Sequence, residues 1–479
     1  MLSPRAVLKA GAKAVLRRAR RVELLFQAKA ELLRELKSDP EILRTARSQA
    51  TAEIKSRRAV AAEARKRALF ELVLKDMSER ERALLDDAFG FTQMYDFTEE
   101  DLTANHRLLD EFASLPEFRP ESINWFVPHF DHVLRGGIRT IMMFADYFRR
   151  EKGVRSRVIV HGAKMAAASY HEEIVKSFPD FAREDVVVST DDDSHPDLPP
   201  SDVAIATLWT SAFHVLKFRR TRAKFYLVQD FEPLFYPAGT VYGLIEATYR
   251  FGFRGIANTP GVADAYRAVS KTPTQAFIPA VDPLLYYPLD PGQPKGRPGE
   301  PSWVVFYGRP DKRRNCFELG VLALARVKRD LGDRVRLISV GSDWDPDAFG
   351  VGGAIENWGL LSSLEEVANL YRRSSAGLCF MQTPHPSYQP FEYMACGCPT
   401  VTNRNPAHRW LLRDGENCIL TESTVSSVAQ AVVRVVTDEA LRRRIIAAGL
   451  ETVKHNSWER QIELVFDFIC KKTPSAREA

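Results

Sequence analysis

Thr383-Pro384-His385-Pro386-Ser387-Tyr388-Gln389-Pro390-Phe391-Glu392-Tyr393-Met394-Ala395-Cys396-Gly397-Cys398-Pro399-Thr400-Val401 follows directly on the apolar run Ala376–Met381. Pro390 suits the first turn of a short helix, Gly397 its end, and Pro399-Thr400-Val401 opens a new extended segment. Strand, polar loop, helix and strand in that order make a crossover unit of a parallel sheet. The backbone N–H groups from Tyr388 to Phe391, Pro390 excepted, would face an anion. Glu392, one turn further in, could accept hydrogen bonds from two neighbouring hydroxyls. A ligand presenting phosphate and ribose together, a nucleotide, matches that pairing.

The same alternation extends in both directions. Trp303–Tyr307, Val335–Gly341 and Pro399–Asn403 read as further strands of the second half. The helix Ser362–Arg373 opens on a capping box formed by Ser362 and Glu365. In the first half the strands are Ile123–Pro128, Ser156–Gly162, Asp185–Ser189, Asp202–Trp209, Lys224–Asp230, Gly255–Asn258 and Gln275–Pro279, with helices such as Arg139–Arg150 and Tyr242–Phe251 between them. From Pro283 to Pro301 the chain carries Pro288, Pro291, Pro294, Pro298, Gly292, Gly296 and Gly299, a composition that packs no core and reads as a linker. The predicted fold class is α/β: two Rossmann-like domains, 119–282 and 302–456, facing across a cleft, joined by a Pro/Gly linker over 283–301. Open α/β sheets bind ligands in such crevices, at the strand C-termini. Residues 457–479 hold an amphipathic helix, Trp458 to Cys470, and a tail.

Residues 1–118 differ in texture, with Ala, Leu, Arg, Lys and Glu at helical spacing and no strand alternation, so an α-helical extension is expected. Its first seventy residues carry 18 Lys and Arg against 7 Asp and Glu, a net of +11, whereas the whole chain is only +5, so the body is mildly acidic. A basic amphipathic helix can be a solvated appendage, a contact with anionic lipid, or a partner-docking module. Nucleic-acid binding lacks any supporting reading motif. No apolar run reaches the 18 or so residues of a membrane span, and the N-terminus lacks the apolar core of a secretory signal. The six cysteines form no zinc-like CxxC pair, and Cys396 and Cys398 are too close for an easy disulfide. A cytoplasmic location with reduced thiols is expected.

Three more strand ends in the second half carry candidate chemistry. Gly308-Arg309, with Lys312, Arg313 and Arg314 beyond, could bring backbone and guanidinium forks to phosphate oxygens, although a solvated basic loop gives the same pattern. Gly341-Ser342 and Trp358-Gly359-Leu360, taken alone, read as a turn and a buried aromatic.

The stretch Glu392–Val401 resembles the signature of family-4 retaining glycosyltransferases of the GT-B fold, which ends in Glu-Ala-Met-Ala-x-Gly-x-Pro-Val-Val. The resemblance implies that Arg309 and Arg314 hold a donor diphosphate, with Arg314 where lysine is usual. It implies that Ser387, Tyr388 and Glu392 contact the donor, that Trp358, Gly359 and Leu360 begin a base-binding loop, and that Gly136-Gly137 face the donor from the first domain. It also implies that the helix Trp458–Cys470 crosses back onto that domain. Gln229-Asp230-Phe231-Glu232-Pro233-Leu234-Phe235-Tyr236-Pro237-Ala238-Gly239 and Pro384–Tyr388 narrow the resemblance to the rhamnan-assembly (WsaF-type) branch. That branch implies dTDP-L-rhamnose as donor and a rhamnose-containing surface polysaccharide as product. The acceptor would be a lipid-linked glycan at the inner membrane face, reached by peripheral contact, with no metal and no cofactor required.

Two departures stand out. The first of the family's two spaced glutamates falls on Pro384, and its His-Asp pair is Gln229-Asp230. His385 could replace a missing donor to sugar or phosphate, or simply shape a turn between two prolines. Asp230 and Glu232 could orient an acceptor hydroxyl, or cap strand-end N–H groups. Three rival readings remain: a metal-dependent transferase using Asp191-Asp192-Asp193, a same-fold enzyme with another nucleotide sugar, and a catalytically silent nucleotide-sugar-binding scaffold.

Overall fold

The computed structural model describes residues 87–470, except 134–135, 190–196 and positions 291, 292, 294, 296 and 298. The basic segment before residue 87 and the Asp191–Asp193 run lie outside the described residues. Everything below belongs to the compact unit Glu79–Ala479.

Two helices, α1 (Asp87–Met94) and α2 (Glu99–Ser114), precede the first domain. It continues with β1 (Ser122–Pro128), α3 (Gly136–Lys152), β2 (Arg155–His161), α4 (Ala167–Val175), β3 (Val186–Val188), β4 (Val203–Ala206) and α5 (Trp209–Lys217). It closes with β5 (Ala223–Val228), α6 (Thr240–Tyr249), β6 (Arg254–Asn258), α7 (Pro260–Ser270) and β7 (Thr274–Phe277). The second domain holds β8 (Ser302–Tyr307), α8 (Phe317–Leu331), β9 (Val335–Val340), β10 (Ile355–Asn357), α9 (Leu364–Arg373), β11 (Ser374–Leu378) and α10 (Gln389–Ala395). After them come β12 (Thr400–Asn403), β13 (Cys418–Thr421), α11 (Val425–Thr437), α12 (Glu439–Val453) and α13 (Trp458–Cys470).

The first sheet runs β3-β2-β1-β4-β5-β6-β7 and the second β10-β9-β8-β11-β12-β13. Every recorded pairing between strands is parallel. Strands such as β4, β5 and β11 are buried throughout because helices cover both faces, as parallel sheets require. Chain order reverses between β1 and β4 in one sheet and between β8 and β11 in the other, which opens a crevice at each strand C-terminus.

Three expectations change. The helices α1 and α2 are built into the first domain rather than standing apart. Phe112 joins its core, Phe91 and Tyr95 pack edge-on to Trp209, and the Asn105 amide donates to the Phe251 carbonyl at 2.7 Å. Lys224 Nζ, fully buried on β5, donates to Asn105 Oδ1 at 2.9 Å and to the Leu216 carbonyl at 3.0 Å. The linker does contribute core: Tyr286 is buried against the second domain, and Arg372 reaches the Leu285 carbonyl at 2.8 Å. The cap of α9 sits one residue later than the pattern suggested. Ser363 accepts from the Glu366 N–H, and the Glu366 carboxylate takes the Ser362 N–H and hydroxyl. At the chain's other end, α13 buries Ile462, Val465, Phe466 and Ile469 in the first domain's core.

Candidate functional site

Arg309 and Arg314 leave the end of β8 on one loop. A Cβ on Gly308 would stand 2.3 Å from Ser339 Oγ, so only glycine lets this loop lie against β9. Arg309 donates to the Tyr307 hydroxyl at 3.3 Å and to Asp311 at 3.2 Å, while its buried Nε has no hydrogen-bond partner among the described residues. Arg314 lies with its guanidinium 4.3 Å from the Phe235 ring centroid and its Nε 3.6 Å from Asp230 Oδ2. That separation is an ion pair but too long for a hydrogen bond. Its Nε is likewise buried without a partner among the described residues.

Asp230, at the end of β5, meets the second domain directly. Its Oδ2 accepts the Thr383 hydroxyl at 2.8 Å and its Oδ1 the Phe231 N–H at 2.8 Å. Burial pushes its carboxyl up to about 6, opposed by Arg314, by Thr383 and by the N–H groups of Phe231 and His385.

His385 is 5% exposed. Its Nδ1 accepts the Ser387 N–H at 2.9 Å, which places the ring proton on Nε2. That Nε2 is buried and unpartnered among the described residues. Burial first, then the nearby His408 and Arg314, pull its pKa down to about 3, so His385 is a neutral donor. His408 holds the loop from below through the Thr383 carbonyl at 2.9 Å.

The loop then enters α10. Ser387 has φ of 70°, a left-handed conformation that a non-glycine residue adopts at a cost. The N–H groups of Phe391 and Glu392 both donate to the Tyr388 carbonyl, so Phe391 is withdrawn from the expected anion-facing set. The N–H groups of Tyr388 and Gln389 have no such partner among the described residues. Glu392 is part-buried. Its carboxyl is pushed up to about 7 by burial, against the hydroxyls of Tyr286 and Tyr371 and the charge of Arg139.

Gly136 and Gly137 open α3 opposite this loop. A Cβ on Gly136 would lie 3.8 Å from the Tyr388 ring, and one on Gly137 would lie 3.3 Å from Gln229 Nε2. The Tyr388 hydroxyl sits 3.0 Å from Asn258 Nδ2 and 2.8 Å from Thr140 Oγ1. Thr140 donates to the Gly136 carbonyl at 2.9 Å. The proton order is therefore Asn258 to Tyr388 to Thr140 to Gly136, a relay that joins the two domains.

Two groups of expected residues stand elsewhere. The Glu232 carboxyl turns into the first domain, where it takes the Trp209 N–H at 2.6 Å and the Tyr226 hydroxyl at 2.9 Å. It is 2% exposed and caps a helix, so it does not reach an acceptor. Trp358 packs edge-on to Trp303 at 5.7 Å, under the Arg336 guanidinium at 5.3 Å, and donates to Glu356 at 3.3 Å. Leu360 is 75% exposed. None of these contacts links Trp358 to Arg309, Arg314 or Glu392. Thr140 and Asn258, by contrast, lie in no motif, and Phe235 and Thr383 lie inside the quoted motifs without a role that the sequence assigns.

Residues 122–259 match the WsaF N-terminal domain and residues 302–433 the WsaF C-terminal domain. The chain belongs to the WsaF family. Its sequence is 43% identical over 375 residues to the O-antigen biosynthesis protein RfbC of Myxococcus xanthus, covering 78% of this chain and 29% of that protein. It is 30% identical over 170 residues to a phosphatidyl-myo-inositol mannosyltransferase of Mycobacterium leprae, covering 34% of this chain and 45% of the other. The matched part thus spans less than half of these relatives' length. The fold is GT-B. A sucrose-phosphate synthase from Thermosynechococcus elongatus superposes with a TM-score of 0.54 at 15% identity, covering 73% of this chain and 98% of its own. Anabaena HepE, solved with UDP and glucose, superposes with a TM-score of 0.55 at 14% identity over 73% and 99%.

Proposed function

We propose that this WsaF-family chain is a glycosyltransferase of surface-polysaccharide assembly. It takes L-rhamnose from dTDP-L-rhamnose and transfers it to a growing, lipid-linked glycan with retention of anomeric configuration, using no metal and no other cofactor. The observation that carries the reading is a set of three buried N–H donors without acceptors among the described residues: Arg309 Nε, Arg314 Nε and His385 Nε2. A buried donor left unpaired costs about 1–3 kcal/mol, and a multiply charged diphosphate would satisfy all three. The relationship to an O-antigen biosynthesis protein supports the substrate class.

The chemistry follows from the donor set. As the bond from sugar to phosphate breaks, negative charge grows on the leaving diphosphate. Donors gathered in a buried site then strengthen their hold and lower the barrier. His385 contributes a neutral N–H, which needs no proton change at working pH. The N–H groups of Tyr388 and Gln389 add to this grip. Glu392 accepts from the sugar hydroxyl of the nucleoside. The leaving phosphate itself takes the acceptor's proton during front-side attack, so no enzymic nucleophile is required. Pro384, standing where relatives of this signature carry a glutamate, is compatible with that route.

Calorimetry of dTDP binding tests the grip. Arg309→Ala and His385→Ala should each weaken binding, Arg309→Ala more, while both variants melt as the parent does. Unchanged affinity in both would refute the site.

A further inference from the structure

Arg314 is held differently from the other cations of the site. Asp230 stands 3.6 Å away and the Phe235 ring 4.3 Å away, and both belong to the segment after β5 in the first domain. Neither contact is a directional hydrogen bond: one is a charge beyond bonding distance, the other a π-face. Asp230 keeps its own shorter bonds to Thr383 and Phe231 whether or not the guanidinium is there. Arg314 can therefore leave without unmaking the loop. Phosphate oxygens, in contrast, form short charge-assisted bonds with a guanidinium.

Resting on the reading of Arg314 as a diphosphate ligand, we propose that Asp230 and the donor diphosphate compete for the Arg314 guanidinium, which makes Asp230 a positioning residue that sets donor affinity from across the domain boundary. Donor binding draws Arg314 off Asp230 and Phe235 and loosens that tie between the domains. Departure of product returns the cation to Asp230, so the carboxylate favours release of the spent nucleotide. Asp230 thus lowers donor affinity while keeping Arg314 pre-aimed at the place it will be used.

A residue that only supported the fold would, when changed, weaken binding or leave it alone. Competition predicts the opposite sign. Asp230→Asn should tighten dTDP binding at least about fivefold, the low end of ordinary coupling between sites, while lowering kcat as nucleotide release slows. Phe235→Leu, which leaves Asp230 untouched, should tighten binding in the same direction by less. Arg314→Ala should weaken binding, and adding Asp230→Asn to it should change nothing further. Titration of dTDP into the four purified variants, each checked by thermal melting, reads all of this. Weakened or unchanged affinity in both Asp230→Asn and Phe235→Leu, with Arg314→Ala impaired, would overturn the competition and leave the donor site standing. Normal affinity in Arg314→Ala would overturn both.

Discussion

Asp230 and Glu232 are two residues apart in one motif, and the structure gives them different tasks. Asp230 looks across to Thr383 and Arg314, whereas Glu232 caps the Trp209 N–H inside the first domain. The sequence shows two carboxylates after a strand. It does not show that Glu232 opens a short helical turn, Glu232–Phe235, that swings it inward. Burial raises the Glu232 carboxyl from 4.5 to about 8. The native state thus keeps a proton that the unfolded chain releases, so stability falls as pH rises from about 4.5 to about 8. Glu232→Gln, neutral at every pH, removes that slope. Melting curves should show wild type losing several degrees relative to Glu232→Gln between pH 5 and pH 9, and parallel curves would disprove the buried, protonated state. At Arg309, loss of the guanidinium should lower kcat/KM about 100- to 1000-fold, the usual cost of removing one charge-stabilising donor, in a transfer assay at saturating acceptor.

At the scale of elements, strand and helix alternation was legible because each strand is a buried apolar run between polar loops. Two strands escaped notice. Ile355–Asn357 carries a single apolar residue and Cys418–Thr421 only the short run Cys418-Ile419-Leu420. The linker differs from its composition for another reason: its prolines and glycines hide Tyr286, which finds a buried place against the second domain. The helix α2 shares the texture of the basic extension, because one buried asparagine facing one buried lysine leaves no periodic trace. That pair gives an energetic test. Asn105→Ala removes one of two acceptors from Lys224 Nζ and the amide donor to the Phe251 carbonyl. Leaving a buried polar group unsatisfied costs about 1–3 kcal/mol, so the urea midpoint should drop. A midpoint within error of wild type would mean α2 is held by packing alone.

Over the whole molecule, the site is an assembly of two domains. Arg309, Arg314, His385 and Glu392 stand on the second, while Asp230, Phe235, Thr140 and Asn258 stand on the first. The resemblance points to the former because they lie in two short motifs of the second half, after β8 and around the start of α10. The latter come from the segment after β5, the end of β6 and the start of α3, and the fold sets them beside the second domain. No helix of the described residues is long and apolar enough to cross a membrane. For the lipid-linked acceptor proposed above, the net +11 of residues 1–70 is the proposed contact with the membrane surface. Each Lys or Arg near an anionic leaflet contributes about 1 kcal/mol, screened by salt. The full chain should float with anionic liposomes at low salt and sink at about 1 M, where the Debye length is about 3 Å. A chain lacking residues 1–70 should not float at either. Full-length protein that fails to float at low salt would reduce the segment to a structural appendage.

The most direct test of the account is product analysis by NMR. The purified chain would be incubated with dTDP-L-rhamnose and a synthetic rhamnoside acceptor, with chelator present, beside its Arg309→Ala and Arg314→Ala variants. The account predicts a new rhamnosyl linkage with the anomeric configuration of the donor, formed by the parent and nearly lost in both variants. An inverted linkage, transfer that needs added metal, or full activity in the two variants would contradict it.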